Sequence, residues 1–288
     1  MKRPEPFEVF QPVSIPEACE LFRKHGPGGH FLAGGTDLVI AIKEKGLVPR
    51  YVVDLKKIPS LTGIREASDG SLTIGALTTM REIETAPLIR RKYPFLAQSA
   101  AEVGSIQIRN RATIGGNMAN ATPSADVAPA LLILDARVKI SRSDGEKIVL
   151  LEEFFIGPGK TIIQQGDVLT EILIPPTPPD FCGEYIKFSP REMMDLAYVG
   201  VAVGVVAEGA RKRCRDARIA LCAVSPTPIR TRKAEETSNE CKPISDVRSS
   251  AAYRKEMVRV NTRRALLNAA AGYVDNLSWT ARRDRRYS

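Results

Sequence analysis

The chain of 288 residues is poor in the side chains that most enzymes use for chemistry: it has two histidines, one tryptophan and five cysteines. The cysteines, Cys19, Cys182, Cys214, Cys222 and Cys241, form no CxxC pair. Zinc and iron–sulfur sites take clustered ligands at short spacing, so a metal centre within this chain is not expected. An odd number of scattered cysteines also suits a reducing compartment rather than a disulfide framework. Long apolar runs are missing as well. The longest candidate, Leu196–Ala207, is shorter than the ~18 residues a membrane span needs, and its Val and Gly content reads as a buried strand. The opening MKRPEPFEVF carries Pro and Glu where a secretory leader has an apolar core. A soluble, cytoplasmic protein is the expectation.

Nucleotide and hydrolase signatures are absent too. No GxGxxG follows a strand. Gly157-Pro-Gly-Lys-Thr161 ends like a P-loop, but the first glycine of that motif would fall at Phe154. There is no GxSxG elbow and no evident histidine base. With so few acid–base groups, demanding chemistry has to come from a cofactor.

Charge and proline mark a boundary. The first 180 residues carry as many acidic as basic side chains, so the whole formal net charge of +9 lies beyond them. Aromatic residues are sparse there and no nucleic-acid module accompanies the charge. A solvated or partner-facing surface is the reading, not nucleic-acid binding. Pro175-Pro-Thr-Pro-Pro179 falls at the same place and cannot continue a helix or a central strand. The expected division is 1–178 and 179–288, with a subdivision of the first part near 55–60.

Before that boundary, Ser14–Glu17 and Thr79–Glu82 read as capping boxes that open helices. His30–Ala33 and Tyr51–Leu55 read as short buried strands. Ser71–Ile74, Ala136–Ser141 and Ile148–Leu151 read as further strands, the last two joined by a turn at Ser143–Gly145. Pro94–Val103 and Asp126–Leu134 read as helices. Beyond the boundary, three strands are expected at 184–188, 196–207 and 217–224. A helix should face them through Met257, Val260, Leu267 and Ala271. The run Arg282–Arg286 reads as a mobile tail.

Two double glycines stand out: AGGTD at 33–37 and TIGGN at 113–117. A glycine pair at a strand end lets the backbone approach a ligand closely, and successive amides there form an anion site. One such loop is an ordinary turn as readily as a site. Two of them, each beside hydroxyl or amide side chains, suggest a grip on a dinucleotide pyrophosphate from both sides.

The order of motifs resembles a known family, the FAD-binding (medium) subunits of the molybdenum hydroxylases, which include subunits of xanthine dehydrogenase and carbon monoxide dehydrogenase. The motifs are AGGTDL at 33–38, QIRNRATIGGNMANATPSAD at 107–126, and Lys187 with PREMMDLAYVGVAV at 190–203. SPTPIR at 225–230 and SDVRSSAAYRKEMV at 245–258 complete the set. The resemblance covers nearly the whole chain. It implies an α+β fold: a two-subdomain FAD-binding domain related to vanillyl-alcohol oxidase, and a C-terminal domain with a three-stranded antiparallel sheet. It also implies non-covalent FAD. Leu32, Ala33, Gly34, Gly35, Thr36, Asp37 and Leu38 would form the first pyrophosphate loop, and Thr113, Gly115, Gly116 and Asn117 the second. Asn120, Asp126, Leu169 and Lys187 match further cofactor contacts, with Val103 and Gly104 beside the flavin. Asp126 also reads as a helix cap, Leu169 as core and Lys187 as a surface lysine. Asp195 reads as structural, and no residue of the chain is expected to be catalytic on the primary substrate.

The implied function is electron transfer. Substrate would be oxidised at a molybdenum–pterin centre on a large subunit. Electrons would pass through iron–sulfur clusters on a small subunit to FAD here, and on to NAD, a quinone or ferredoxin. Gly116–Leu134 contains no cysteine and no insertion, which argues against the relatives that carry an extra iron–sulfur cluster there. A self-contained FAD oxidoreductase and a non-catalytic nucleotide-binding assembly module are the alternatives.

Overall fold

A computed structural model describes residues 5–191, 194–208, 213–231 and 237–275. The run Arg282–Arg286 lies outside the described residues, as do Glu192 and Met193 of the PREMMD motif.

Ser14 caps the first helix, Ile15–His25, by accepting from the Glu17 amide, and Gly26 ends it at φ 68°. The Glu17 carboxylate reaches past the cap to the Val13 amide, 2.8 Å away. The helix packs Ala18, Cys19 and Phe22 against a small parallel sheet. That sheet holds β1 (Glu8–Phe10), β2 (Gly29–Leu32) and β3 (Tyr51–Asp54) in the order β1–β3–β2. Every residue of β3 is buried, which its nearly apolar sequence requires of a central strand.

Two single turns of 3-10 helix, Leu55–Lys57 and Pro59–Leu61, lead into the second sheet. It contains β4 (Ile64–Glu66), β5 (Leu72–Gly75), β6 (Arg137–Arg142) and β7 (Gly145–Leu150). After a hairpin of β8 (Phe155–Gly157) and β9 (Lys160–Thr161), β10 (Val168–Ile174) enters its centre. The order is β4–β5–β10–β6–β7, antiparallel throughout. The segment that resembles a P-loop is therefore the tip of a hairpin. Its Gly159 has φ 67° and bonds the Ala121 carbonyl. Thr79 and Glu82 form a complete capping box that starts helix Met80–Thr85. This helix, Pro94–Ala101 and Val127–Ile133 join the sheet in the largest core.

The third sheet has three long antiparallel strands, β11 (Phe181–Phe188), β12 (Val199–Glu208) and β13 (Arg213–Cys222). A short fourth strand, β14 (Ile229–Thr231), is added at the edge by the SPTPIR segment. The alternation in β12 explains how this sheet sits between two partners. Val199, Val201, Val203 and Val205 pack toward the long helix Ala251–Asp275. Gly200, Ala202 and Gly204 face the other way, where space is short: a Cβ on Gly200 would lie 2.3 Å from the Cys222 sulfur. On that side Tyr185, Ala202 and Ala220 enter the main core.

The long helix keeps only part of the stripe its apolar residues suggest: Met257 packs against the sheet, and the fully buried line runs beside it. Val258, Ala265 and Ala269 are buried with Arg254, Asn261 and Thr262, whereas Leu267 is 61% exposed. Small residues face the valine-covered strands because the helix lies close to them, and the bulkier Leu267 falls off that line.

Candidate cofactor site

The first glycine loop leaves β2 at Leu32 and enters helix Leu38–Glu44. Gly35 sits at φ 80°, a conformation that side chains rarely adopt. Gly34 answers a different need, since a Cβ there would lie 1.9 Å from the Arg111 carbonyl oxygen. The first loop is thus pressed onto the chain that leads into the second. Among the described residues, the amides of Thr36, Asp37 and Leu38 have no backbone acceptor. Asp37 directly precedes the helix, yet its carboxylate makes no cap bond.

The second loop is the start of helix Ile114–Asn120, with Thr113 as its cap. The Thr113 hydroxyl accepts from the Gly116 amide at 3.2 Å. Ile114 and Gly115 donate to the carbonyls of Thr78 and Ala76, and Asn117 donates to the Thr113 carbonyl. The expectation of two matched sets of free amides therefore fails here: the second loop has already used its own. What it offers is backbone proximity and side chains. A Cβ on Gly115 would lie 2.5 Å from that of Ala76, and one on Gly116 would face Ala33 across 3.8 Å. The Asn117 Oδ1 is buried and has no hydrogen-bond partner.

Both loops open on a cavity of about 400 Å³, a volume within the usual range for small-molecule sites. Ala33, Gly34, Gly35, Thr36, Asp37 and Leu38 line it from one side. Thr113, Gly115, Gly116, Asn117 and Asn120 line it from the other, and Leu169 of β10 adds an apolar wall. Leu32 stands behind the first loop, with its Cδ1 3.1 Å from the position of a Gly35 Cβ. His30, Lys45 and Asp167 also border the cavity, and the sequence reading missed them. None belongs to a motif: His30 lies in a strand, Lys45 follows a helix and Asp167 pairs with Arg142 at 3.1 Å. Burial pushes the His30 imidazole below its ordinary pKa.

Val103, Gly104, Asp126 and Lys187 do not line this cavity. Asp126 and Lys187 meet in a separate buried group, which Val103 and Gly104 adjoin only through the preceding residue, Glu102. The Lys187 ammonium donates to Asp126 Oδ2 at 3.0 Å and to the Glu102 carbonyl at 2.9 Å. The Tyr185 hydroxyl donates to Asp126 Oδ1 at 2.8 Å. Asp126 makes no cap bond to helix Val127–Ile133, and Lys187 is buried rather than at the surface. Burial pushes the Asp126 carboxyl above its ordinary pKa, opposed by the Lys187 charge and the Tyr185 hydrogen bond. Arg109 steadies the neighbouring turn by donating to the Val103 carbonyl at 3.2 Å while paired with buried Glu84 at 2.8 Å. Gly104 turns the chain at φ 50°. Asp195 accepts from Arg191 and from the Leu196 amide.

Among the described residues, no helix is long and apolar enough to cross a membrane. Comparison with known proteins places this geometry. Residues 5–177 match the model of the FAD binding domain in molybdopterin dehydrogenase. Residues 184–239 match that of the CO dehydrogenase flavoprotein C-terminal domain. The chain is 31% identical over 264 residues to the putative xanthine dehydrogenase FAD-binding subunit of Escherichia coli K12, covering 85% of this chain and 90% of that one. It is 30% identical to the carbon monoxide dehydrogenase medium chain of Hydrogenophaga pseudoflava, covering 93% and 98%. A solved structure of that organism's carbon monoxide dehydrogenase, 30% identical in sequence, superposes with a TM-score of 0.87 over 94% of this chain and 99% of that chain. The free amides of one loop, the orphaned asparagine oxygen of the other and these matches along the chain agree: it belongs to the family of FAD-binding subunits of molybdopterin dehydrogenases.

Proposed function

We propose that the chain is the electron-transfer subunit of a molybdenum hydroxylase complex. In this reading it holds FAD non-covalently, receives electrons from iron–sulfur clusters of a small subunit and passes them to an external acceptor such as NAD, a quinone or ferredoxin. The large molybdopterin subunit would act on the primary substrate. Residues 1–178 would carry the cofactor, and 179–288 would complete the site through Lys187.

The observation that carries the reading is the pairing of unused hydrogen-bonding groups across one cavity. The amides of Thr36, Asp37 and Leu38 lack backbone acceptors on one side, and Asn117 Oδ1 lacks a donor on the other. Buried polar groups are normally satisfied, so the orphaned Asn117 oxygen asks for a donor, and the unbonded amides at the start of helix Leu38–Glu44 offer donors to an anion. A diphosphate accepts from the amides. Hydroxyl or amine groups of the same ligand donate to Asn117 and Asp37, since a carboxylate repels phosphate but accepts from a hydroxyl. FAD carries all of these groups, and when bound it supplies a carrier able to take electrons singly and release them in pairs.

The chain's own residues have passive tasks. Gly34 and Gly35 let the backbone come close, and Leu169 excludes water. The resemblance assigns Val103, Gly104, Asp126 and Lys187 to the flavin ring, where a cation would favour its reduced, anionic form; they lie outside the lining of the cavity. Asn120 stands beside the cavity, bonded to the Thr122 hydroxyl at 2.9 Å. Native purification tests the proposal. The chain should carry a flavin absorption spectrum and bring with it a molybdopterin subunit and an iron–sulfur subunit. A colourless protein without partners at native expression overturns it.

A further inference from the structure

Helix Leu38–Glu44 has little of its own to hold it together. Its seven residues fall short of the ~12–15 at which an isolated helix becomes even marginally stable. Val39, Ile40 and Ile42 are β-branched and lose rotamer freedom in a helix. Asp37 gives no side-chain cap, and the first turn carries no acidic residue. Such a segment is normally fixed by packing an apolar face. Yet the run Leu38-Val-Ile-Ala-Ile42 contains no buried residue. Among the described residues, every other α-helix buries at least one.

What the helix faces instead is the cofactor cavity. Leu38, Ala41 and Lys45, three and four residues apart, fall on one side and line it. Val39 and Ile40 are exposed on the other side. Both ends are hinged. Gly35 has φ 80° and Gly46 φ 74°. A Cβ on Gly46 would meet nothing within 4 Å, so that glycine serves the turn of the backbone and not close packing. The points just beyond the hinges are held: Gly34 lies against the Arg111 carbonyl, and the Arg50 amide donates to the Gly28 carbonyl at 2.9 Å. The chain between them can move as one piece, with the glycines absorbing the change in backbone angles.

We propose that helix Leu38–Glu44 is a lid over the cofactor cavity, and that the apolar surface of the occupant supplies the packing that the protein does not. The inference rests on the reading of this cavity as the FAD site. The rings of FAD have flat apolar faces of the kind that Leu38 and Ala41 lack as partners. FAD then binds the closed form in preference to the open one, and its apparent affinity is reduced by the fraction of protein that is open. A change that weakens this helix alone raises the apparent Kd by the same factor. Global unfolding of the unloaded chain starts from a lid already open, so the stability of that form hardly changes.

Amide hydrogen exchange of the full chain, with and without FAD, tests the lid. In the unloaded chain, residues 38–45 should exchange roughly tenfold or more faster than helix Ile15–His25, which packs Ala18, Cys19 and Phe22. Saturation with FAD should slow residues 38–45 far more than it slows that helix. Lys43 is exposed and does not line the cavity, so Lys43→Gly weakens the helix without touching the occupant. It should raise the Kd for FAD about threefold, through the poor helix propensity of glycine, and leave the melting temperature of the unloaded protein unchanged. Lys24→Gly, the same change at an exposed position of the packed helix, should do the reverse. FAD that binds without altering exchange over 38–45 overturns the lid while the site reading stands. So does a Lys43→Gly protein that melts earlier and binds FAD normally. A chain that binds no FAD overturns the site reading and the inference with it.

Discussion

The two glycine loops are alike in sequence and opposite in use. In the first loop the amides of Thr36, Asp37 and Leu38 have no backbone acceptor. In 113–117 the amides are consumed by Thr113, Ala76, Thr78 and the first helical turn. The first loop keeps backbone donors unused, and the second is a helix start that carries Asn117. Glycine is needed in both, for different reasons: positive φ at Gly35, and contact with neighbouring backbone at Gly34 and Gly115. A double glycine therefore marks close approach, while the hydrogen bonds made after folding decide what approaches.

The largest effect should come from the place where the loops touch. Gly34→Ala puts a methyl group 1.9 Å from the Arg111 carbonyl oxygen, and backbone has to move to admit it. Overpacking of this kind costs about 1–3 kcal/mol. The loops should separate, with loss of bound flavin and a lower melting temperature. A variant that retains full flavin and stability would show that the seam is not needed. Gly116→Ala is the milder partner, because its methyl group meets only the Thr113 hydroxyl within 3 Å.

Thr113→Val comes next. It deletes the cap of helix Ile114–Asn120 and leaves the Gly116 amide without its acceptor. Loss of such a cap costs about 0.5–2 kcal/mol. Urea unfolding should report that loss, whereas flavin affinity falls only as far as Asn117 is displaced. If affinity fell more than stability, the hydroxyl would be a ligand contact and the loops more alike than their hydrogen bonds indicate.

Asn117→Ala separates binding from folding. Its Oδ1 is buried without a partner, so the unloaded protein should be no less stable without it. The loaded protein should bind flavin several-fold more weakly, because one hydrogen bond contributes about 1 kcal/mol. Fluorescence titration of flavin against each protein checks this. Equal loss of stability and affinity would mean that Asn117 serves the fold.

These contrasts also show how much was readable before the chain folded. The capping box at Thr79, the strand at Tyr51–Leu55 and the glycine pairs are local, and each is legible from a few neighbouring residues. The closure of the second loop's amides is not, because Ala76 and Thr78 lie some forty residues away and no spacing rule connects them. The same limit applies to Lys187 and Asp126. Each matches a motif by itself, but their pairing brings a strand of the third sheet against the start of a helix that covers the second. Composition likewise hid the inner face of the long helix, where alanine and threonine pack because the strands opposite already carry valine.

The smallest effect concerns the strand that feeds the first loop. His30 is half-buried on the cavity wall, and burial lowers its pKa from the ordinary 6.5. The unfolded chain therefore takes up a proton before the folded one does. Stability from this group is fully present above pH 6.5 and is lost as pH falls through the lowered folded value. Saturation with FAD should oppose the loss, because a diphosphate nearby favours the protonated imidazole and brings the folded pKa back up. Urea unfolding at pH 5.5 and 7.5, with and without FAD, measures both slopes. His30→Gln should flatten the slope of the unloaded protein and abolish the part that FAD removes. A slope that FAD leaves untouched would put the diphosphate away from His30 and the strand that feeds the first loop.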